Sequence, residues 1–174
     1  MKIGLLGGSF NPAHLGHIYI SKLALQKLNI KQVWWIPTAH NPLKNKSDYV
    51  PFATRFADCL EITKNHPKIH VKNFEKDSIS TFKLIRKIRA KHRNIEFVWI
   101  MGSDNLHRFH QWDNFKRLIK SINFAIFSRD LTDRKAAKYH KKYFANFLFF
   151  KTKNYDISST KLRNLSTNQK QKNS

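Results

Sequence analysis

The stretch Met1–Lys22, MKIGLLGGSFNPAHLGHIYISK, decides how the rest of the chain is read. Ile3 to Leu6 is a short apolar run of the kind that forms a buried strand. It ends in Gly7-Gly8-Ser9, followed by a Phe-Asn-Pro turn and then His14-Leu15-Gly16-His17. From His14 to Leu28 the apolar residues recur at helical spacing. A strand that passes through glycines into a helix is the opening of a βα unit. Glycines at that corner let the backbone come close to a ligand and present N–H groups to phosphate. The spacing is neither the three-glycine dinucleotide pattern nor a P-loop, which needs Gly-Lys-Ser/Thr.

The same alternation continues along the chain. Gln32–Ile36 reads as a strand closed by Pro37, and Thr38–Tyr49 as a polar loop. Pro51 opens a helix over Phe52–Thr63, where proline is tolerated in the first turn. Ile69–Val71 is a short strand, Ser80–Lys91 a helix, and Ile95–Met101 (IEFVWIM) a strongly strand-like run. Trp112–Lys120 is predicted helical, Ile122–Phe127 a strand, Asp133–Ala145 a helix, Phe147–Phe150 a strand and Ser158–Leu165 a last helix. Strands alternating with helices predict an α/β fold, a Rossmann-like doubly wound parallel sheet in a single domain, residues 1–165. Residues 166–174 form a polar tail. In such sheets ligands bind beyond the carboxyl ends of the strands, near the switch in strand order. The loops richest in polar and glycine residues, 8–13, 38–47, 102–107 and 155–159, all follow strands.

The chain has 174 residues, enough for one domain with a core. Its single cysteine, Cys59, excludes an internal disulfide and points to a reducing, cytoplasmic setting. No run approaches the roughly 18 apolar residues of a membrane span. The N-terminal apolar stretch is too short and too broken for a signal peptide. The formal net charge of +22 argues for an anionic partner. The lysines are spread along the sequence, so the charge does not single out nucleic acid over small polyphosphates.

His14 and His17, three apart, share one face of a first helical turn, where unpaired N–H groups and the dipole favour anions. Three readings stand open: two incidental histidines, a metal pair lacking a third ligand at a recognisable spacing, or hydrogen-bond donors to phosphate. Ser158-Ser159-Thr160, with Arg163 one turn on, is either a simple N-cap or a second anion-binding helix start. Asp104, in Gly102-Ser103-Asp104-Asn105, could hold ribose hydroxyls or cap the next helix. Trp112 is either core or a flat surface for a heteroaromatic ring.

Together these motifs carry a resemblance. Gly7–His17 (GGSFNPAHLGH) resembles the GGSFDPxHxGH signature of the HxGH nucleotidyltransferase superfamily. Ile157–Arg163 (ISSTKLR) is similar to its ISSTxIR partner motif, and Phe97–Trp112 (FVWIMGSDNLHRFHQW) resembles the GxDxLxxFxxW segment of the nicotinate-nucleotide adenylyltransferases. The resemblance runs from residue 2 to about 165. It implies the reaction of ATP with nicotinate mononucleotide to give nicotinate adenine dinucleotide and pyrophosphate, a step of NAD synthesis. It implies that His14, His17 and Arg163 act on the phosphates in catalysis. Gly8, Ser9, Phe10, Gly102, Asp104, Ile157, Ser158, Ser159 and Lys44 would bind ATP, and Thr81 and Trp112 the mononucleotide. Mg²⁺ would travel with the ATP phosphates and no protein metal site is expected. The implied partners are these small molecules, without nucleic acid or membrane, and a homo-oligomer is left open.

The chain departs from the pattern in places. Asn11 replaces the usual Asp, Leu43 a His beside Lys44, and Ile79–Ile85 (ISTFKLI) keeps Thr81 but lacks the family's Tyr and second Thr. The rival readings are a pantetheine-phosphate adenylyltransferase or cytidylyltransferase, a basic nucleic-acid-binding module, and an inactive relative. The GSDNL…Trp112 segment and the ISSTKLR ending weigh against the first. The even spread of lysines weighs against the second. Intact His14, His17 and Arg163 weigh against the third.

Overall fold

A computed structural model describes residues 1–38, 50–74, 80–128 and 146–152. Six strands form one sheet: β1 (Lys2–Gly8), β2 (Gln32–Pro37), β3 (Ile69–Val71), β4 (Glu96–Gly102), β5 (Asn123–Ser128) and β6 (Phe147–Lys151). Their order is β3-β2-β1-β4-β5-β6, and every neighbouring pair is parallel. The chain builds outward from β1 to β3 on one side, then returns to lay β4 against the other side of β1. The switch in strand order therefore lies between β1 and β4, in register with Leu6 opposite Ile100.

Strand residues alternate between two cores, as a period of two requires. Ile3, Leu5, Trp34, Ile36, Phe97, Trp99 and Met101 face one cluster with helix α3 (Thr81–Lys91) and helix α4 (Phe115–Ser121). Leu6, Val33, Trp35, Val98 and Ile100 face the other with Ile18 and Ala24 of helix α1 (Leu15–Lys27) and Cys59 of helix α2 (Phe52–Thr63). Helices thus cover both faces, as the doubly wound prediction requires. Among the described residues, no helix is long and apolar enough to cross a membrane.

The helix ends follow local chemistry. Leu28 closes α1, its N–H reaching the Ala24 carbonyl at 3.0 Å, and Asn29 turns left-handed at φ 49° just beyond. Ser80 caps α3 by accepting the Lys83 N–H at 3.3 Å.

One segment corrects the sequence reading. The helix expected over Trp112–Lys120 is only Phe115–Ser121, entered through Asn114 in the left-handed region at φ 52°. Before it, Ser103–Gln111 is a 3₁₀ helix. Three residues per turn put every third side chain on one face. Ser103, Leu106 and Phe109 are accordingly buried and Trp112 is half-buried. The helices expected over 133–145 and 158–165 lie outside the described residues.

Candidate active site

The site is built where β1 and β4 end side by side. Beyond β1, the carbonyl of Gly8 accepts the Thr38 N–H at 2.9 Å and its hydroxyl at 3.3 Å. The carbonyl of Ser9 accepts from the guanidinium of Arg55. In a trans peptide the C=O and the following N–H point in opposite directions. Two successive carbonyls are thus held toward β2 and α2, and the N–H groups of Ser9 and Phe10 are directed away from them. Phe10 itself takes the left-handed conformation, φ 44°, which is strained for a bulky residue and persists only where the surroundings over-determine it. Those surroundings are the Trp35 ring, stacked at 4.9 Å, and the His17 ring at 4.7 Å. Gly7 is needed where it stands: a Cβ there would fall 2.4 Å from the Trp99 ring.

His14 and His17 cap α1 reciprocally. Nδ1 of His14 accepts the Gly16 N–H at 3.1 Å, and Nδ1 of His17 accepts the His14 N–H at 3.2 Å. An accepting Nδ1 places the ring proton on Nε2 in the neutral imidazole. The two rings lie 3.9 Å apart. Burial, and after it the neighbouring His14, hold the His17 imidazole down at about 3, so it stays neutral across the physiological range. Behind the pair, the Ser21 hydroxyl donates to the His17 carbonyl at 2.8 Å and accepts from the Trp35 indole at 2.8 Å, fixing α1 on β2. Gly16, between the histidines, is buried.

Beyond β4, the exposed carboxylate of Asp104 lies over Gly102, where a Cβ would fall 2.4 Å from Oδ1. Trp112 stands edge-on to Trp99 at 6.4 Å and to Phe109 at 5.1 Å. Thr81 is half-buried at the first position of α3. A hydrogen bond from Ser80, followed by one from Asn114, holds the Asp113 carboxyl below the usual range. The Ser80–Asp113 contact joins the start of α3 to the segment just after Trp112.

The structure therefore gathers Gly8, Ser9, Phe10, His14 and His17 after β1, and Gly102, Asp104 and Trp112 after β4, with Thr81 on the adjoining helix. Lys44, Ile157, Ser158, Ser159 and Arg163 lie outside the described residues. Among the described residues, no three His, Cys, Asp or Glu side chains converge as a metal cluster. Two buried residues absent from the sequence candidates belong to the frame. Asn11 accepts the Val50 N–H on its side-chain oxygen at 3.2 Å, a bond that needs a carbonyl oxygen and not a charge. Arg55 is 1% exposed on α2. An arginine in the apolar pattern Phe52–Ile62 was the available signal for it.

Known proteins resemble most of the chain. A model of the cytidylyltransferase-like family matches residues 5–165. A probable nicotinate-nucleotide adenylyltransferase of Agrobacterium fabrum is 40% identical over 131 residues, 74% of this chain and 70% of that protein. One from Rhizobium meliloti is 39% identical over 131 residues, covering 74% and 69%. In structure, the Plasmodium falciparum nicotinic acid mononucleotide adenylyltransferase complexed with NaAD superposes with a TM-score of 0.77 at 24% identity, over 94% of this chain and 82% of that one. That likeness bears on the fold, while the bacterial relatives bear on the family. The chain belongs to the cytidylyltransferase-like family and, within it, to the nicotinate-nucleotide adenylyltransferases.

Proposed function

We propose that the chain joins ATP and nicotinate mononucleotide into nicotinate adenine dinucleotide, releasing pyrophosphate, as its bacterial relatives are named for doing. The observation that carries this reading is the placement of the reciprocal histidine cap and the Gly8–Phe10 turn at the β1–β4 switch, with Trp112 beyond the neighbouring strand β4. A phosphate oxygen of the mononucleotide attacks the α-phosphorus of ATP. The bond from that phosphorus to the bridging oxygen breaks, and pyrophosphate leaves with the electron pair. The attacking oxygen is already ionised, so no general base and no covalent enzyme intermediate is needed. Catalysis is positioning plus stabilisation of charge on the transferring phosphoryl group.

His14 and His17 serve as Nε2–H donors to the phosphate oxygens, and the N–H groups of Ser9 and Phe10 approach the nucleotide from the β1 turn. Gly102 leaves room for Asp104 to reach ribose hydroxyls. Trp112 stacks on the pyridine ring and Thr81 meets its carboxylate. Lys44, Ile157, Ser158, Ser159 and Arg163 complete the grip on the triphosphate. Of the carboxylates at the strand ends, the described residues offer Asp104. Mg²⁺ bound to the ATP phosphates would supply charge neutralisation there.

The test is pyrophosphate release with Mg·ATP and, in separate reactions, nicotinate mononucleotide, nicotinamide mononucleotide or phosphopantetheine. Release with the nicotinate compound and formation of the dinucleotide are expected. Silence with both pyridine nucleotides would sink the proposal.

A further inference from the structure

Arg55 joins three separate segments of the site frame. Its Nη1 donates to the Ser9 carbonyl in the turn after β1 and to the Thr38 carbonyl just after β2, at 2.9 Å for Thr38. Its Nε donates to the Val50 carbonyl at 2.9 Å, immediately before α2. The guanidinium also lies over the Phe52 ring, 5.5 Å from its centroid. The side chain is fully buried. A planar fork with donors in fixed directions can serve three carbonyls at once; a flexible ammonium cannot match that geometry.

We propose that Arg55 is a positioning residue for adenylyl transfer: it sets the orientation of the Ser9–Phe10 peptide plane, and through it the donor that faces the transferring phosphoryl group. The inference rests on the functional reading above and extends it to a residue that does not touch substrate. The argument is geometric. The Ser9 carbonyl is turned onto Nη1, so the Phe10 N–H must turn the other way. Phe10 is at a left-handed φ, so this plane is not in its resting conformation and needs something to hold it. The same guanidinium ties Thr38, just after β2, and Val50, just before α2, to the turn. A buried cation under the turn also adds positive potential beneath it.

The test compares Arg55→Ala and Arg55→Lys with Thr63→Ala, a variant of the same helix. The Thr63 hydroxyl donates to the Cys59 carbonyl at 2.7 Å, away from the turn. Rates are taken well below each variant's melting temperature. Arg55→Ala is expected to lose about 10- to 100-fold in kcat, with KM for nicotinate mononucleotide within about threefold, as for a small misplacement of reacting groups. Arg55→Lys should fall between Arg55→Ala and the wild type. Guanidinium ion at tens of millimolar should restore part of the Arg55→Ala rate, and the same concentration of tetramethylammonium should not. Thr63→Ala should lower the melting temperature while keeping kcat. If folded Arg55 variants turn over within threefold of the wild type, Arg55 is only structural and the inference is overturned.

Should neither variant fold, the wild type decides. The Arg55 Nε–H resonance should shift and gain exchange protection when a non-hydrolysable ATP analogue binds. A resonance indifferent to the analogue overturns the inference. A wild type that forms no dinucleotide from nicotinate mononucleotide removes the functional reading itself, an outcome distinct from a wild type that works with an indifferent Arg55.

Discussion

His14 and His17 are tied to one another three times, by the 3.2 Å bond from the His14 backbone N–H to Nδ1 of His17, by the 2.9 Å bond from the His17 N–H to the His14 carbonyl and by rings 3.9 Å apart. Each ring spends its Nδ1 on a backbone N–H at the start of α1, so the same bonds that cap the helix choose the tautomer of both imidazoles. Removing either ring therefore removes a cap as well as a donor. His17→Ala is expected to lower kcat by about 100-fold or more, the size seen when a transition-state donor is lost. The cap contributes about 1 kcal/mol to stability. Steady-state rates, taken beside a denaturant titration, separate the two. Near-normal turnover would remove the catalytic role of His17.

The pH dependence of stability carries a definite sign. His17 is held at about 3 in the fold, against 6.5 for an ordinary imidazole. The unfolded chain then binds the extra proton first as pH falls. The stability from a neutral His17 is complete above pH 6.5 and is lost as pH drops from 6.5 toward 3, at up to about 1.4 kcal/mol per pH unit for one proton. The wild-type melting temperature should fall through this window, and His17→Gln should flatten that part of the curve. Parallel curves for the two proteins would show that His17 titrates normally.

Trp112→Ala should raise KM for nicotinate mononucleotide with ATP binding little changed, because the ring lies beyond β4, packed on Trp99 and Phe109. Loss of one aromatic stacking partner corresponds to roughly 0.5–1.5 kcal/mol beyond area burial, or a few-fold to about tenfold in affinity. Calorimetric titrations with each ligand alone would show it. A selective loss of ATP affinity would place the ring on the wrong substrate.

Gly7→Ala tests the wall between the two halves of the site. The new methyl would fall 2.4 Å from the Trp99 ring, which is 2% exposed and cannot step aside freely. Overpacking of this kind costs about 1–3 kcal/mol. A drop in denaturation midpoint is expected, and an unchanged midpoint would mean that Trp99 repacks.

The single cysteine offers an internal reporter. Burial first, then the Asp58 charge, push the Cys59 thiol up to about 12, against a smaller opposing pull from Arg55. The thiol is therefore protonated and enclosed in the native protein, and only the thiolate reacts. A disulfide-exchange dye at pH 8 should label it only on unfolding. Prompt labelling of the folded enzyme would show that α2 opens readily.

Much of this was legible in the residues. The predicted helix over Phe52–Thr63 and strand over Ile69–Val71 match the structure residue for residue, because each has a strong local period and a clear boundary in Pro51 or Pro67. The glycine corner and the paired histidines marked where β1 passes into α1. The segment 103–111 was not legible as helix because its apolar residues recur every third position, which matches neither 3.6 nor 2. What most escaped was the support. Arg55 looks like one more cation in a chain with 33 lysines and arginines, and its partners are carbonyls at positions 9, 38 and 50 that only the fold brings together. Asn11 looked like a departure from a signature, yet its work in the structure is to receive the Val50 N–H, which an amide does as well as a carboxylate.

The sheet also partitions the enzyme's evolutionary freedom. The histidine cap and Phe10 pack with α1 and β2 on one side of the sheet, while Trp112 and Thr81 belong to α3 and the 3₁₀ turn on the other. Among the described residues, the two sides flank the β1–β4 pair. On the proposed assignment, substitutions around Trp112 and Thr81 can retune which acceptor is taken while the histidine cap is kept. On that assignment the histidine cap can be inherited intact while the surroundings of Trp112 diverge.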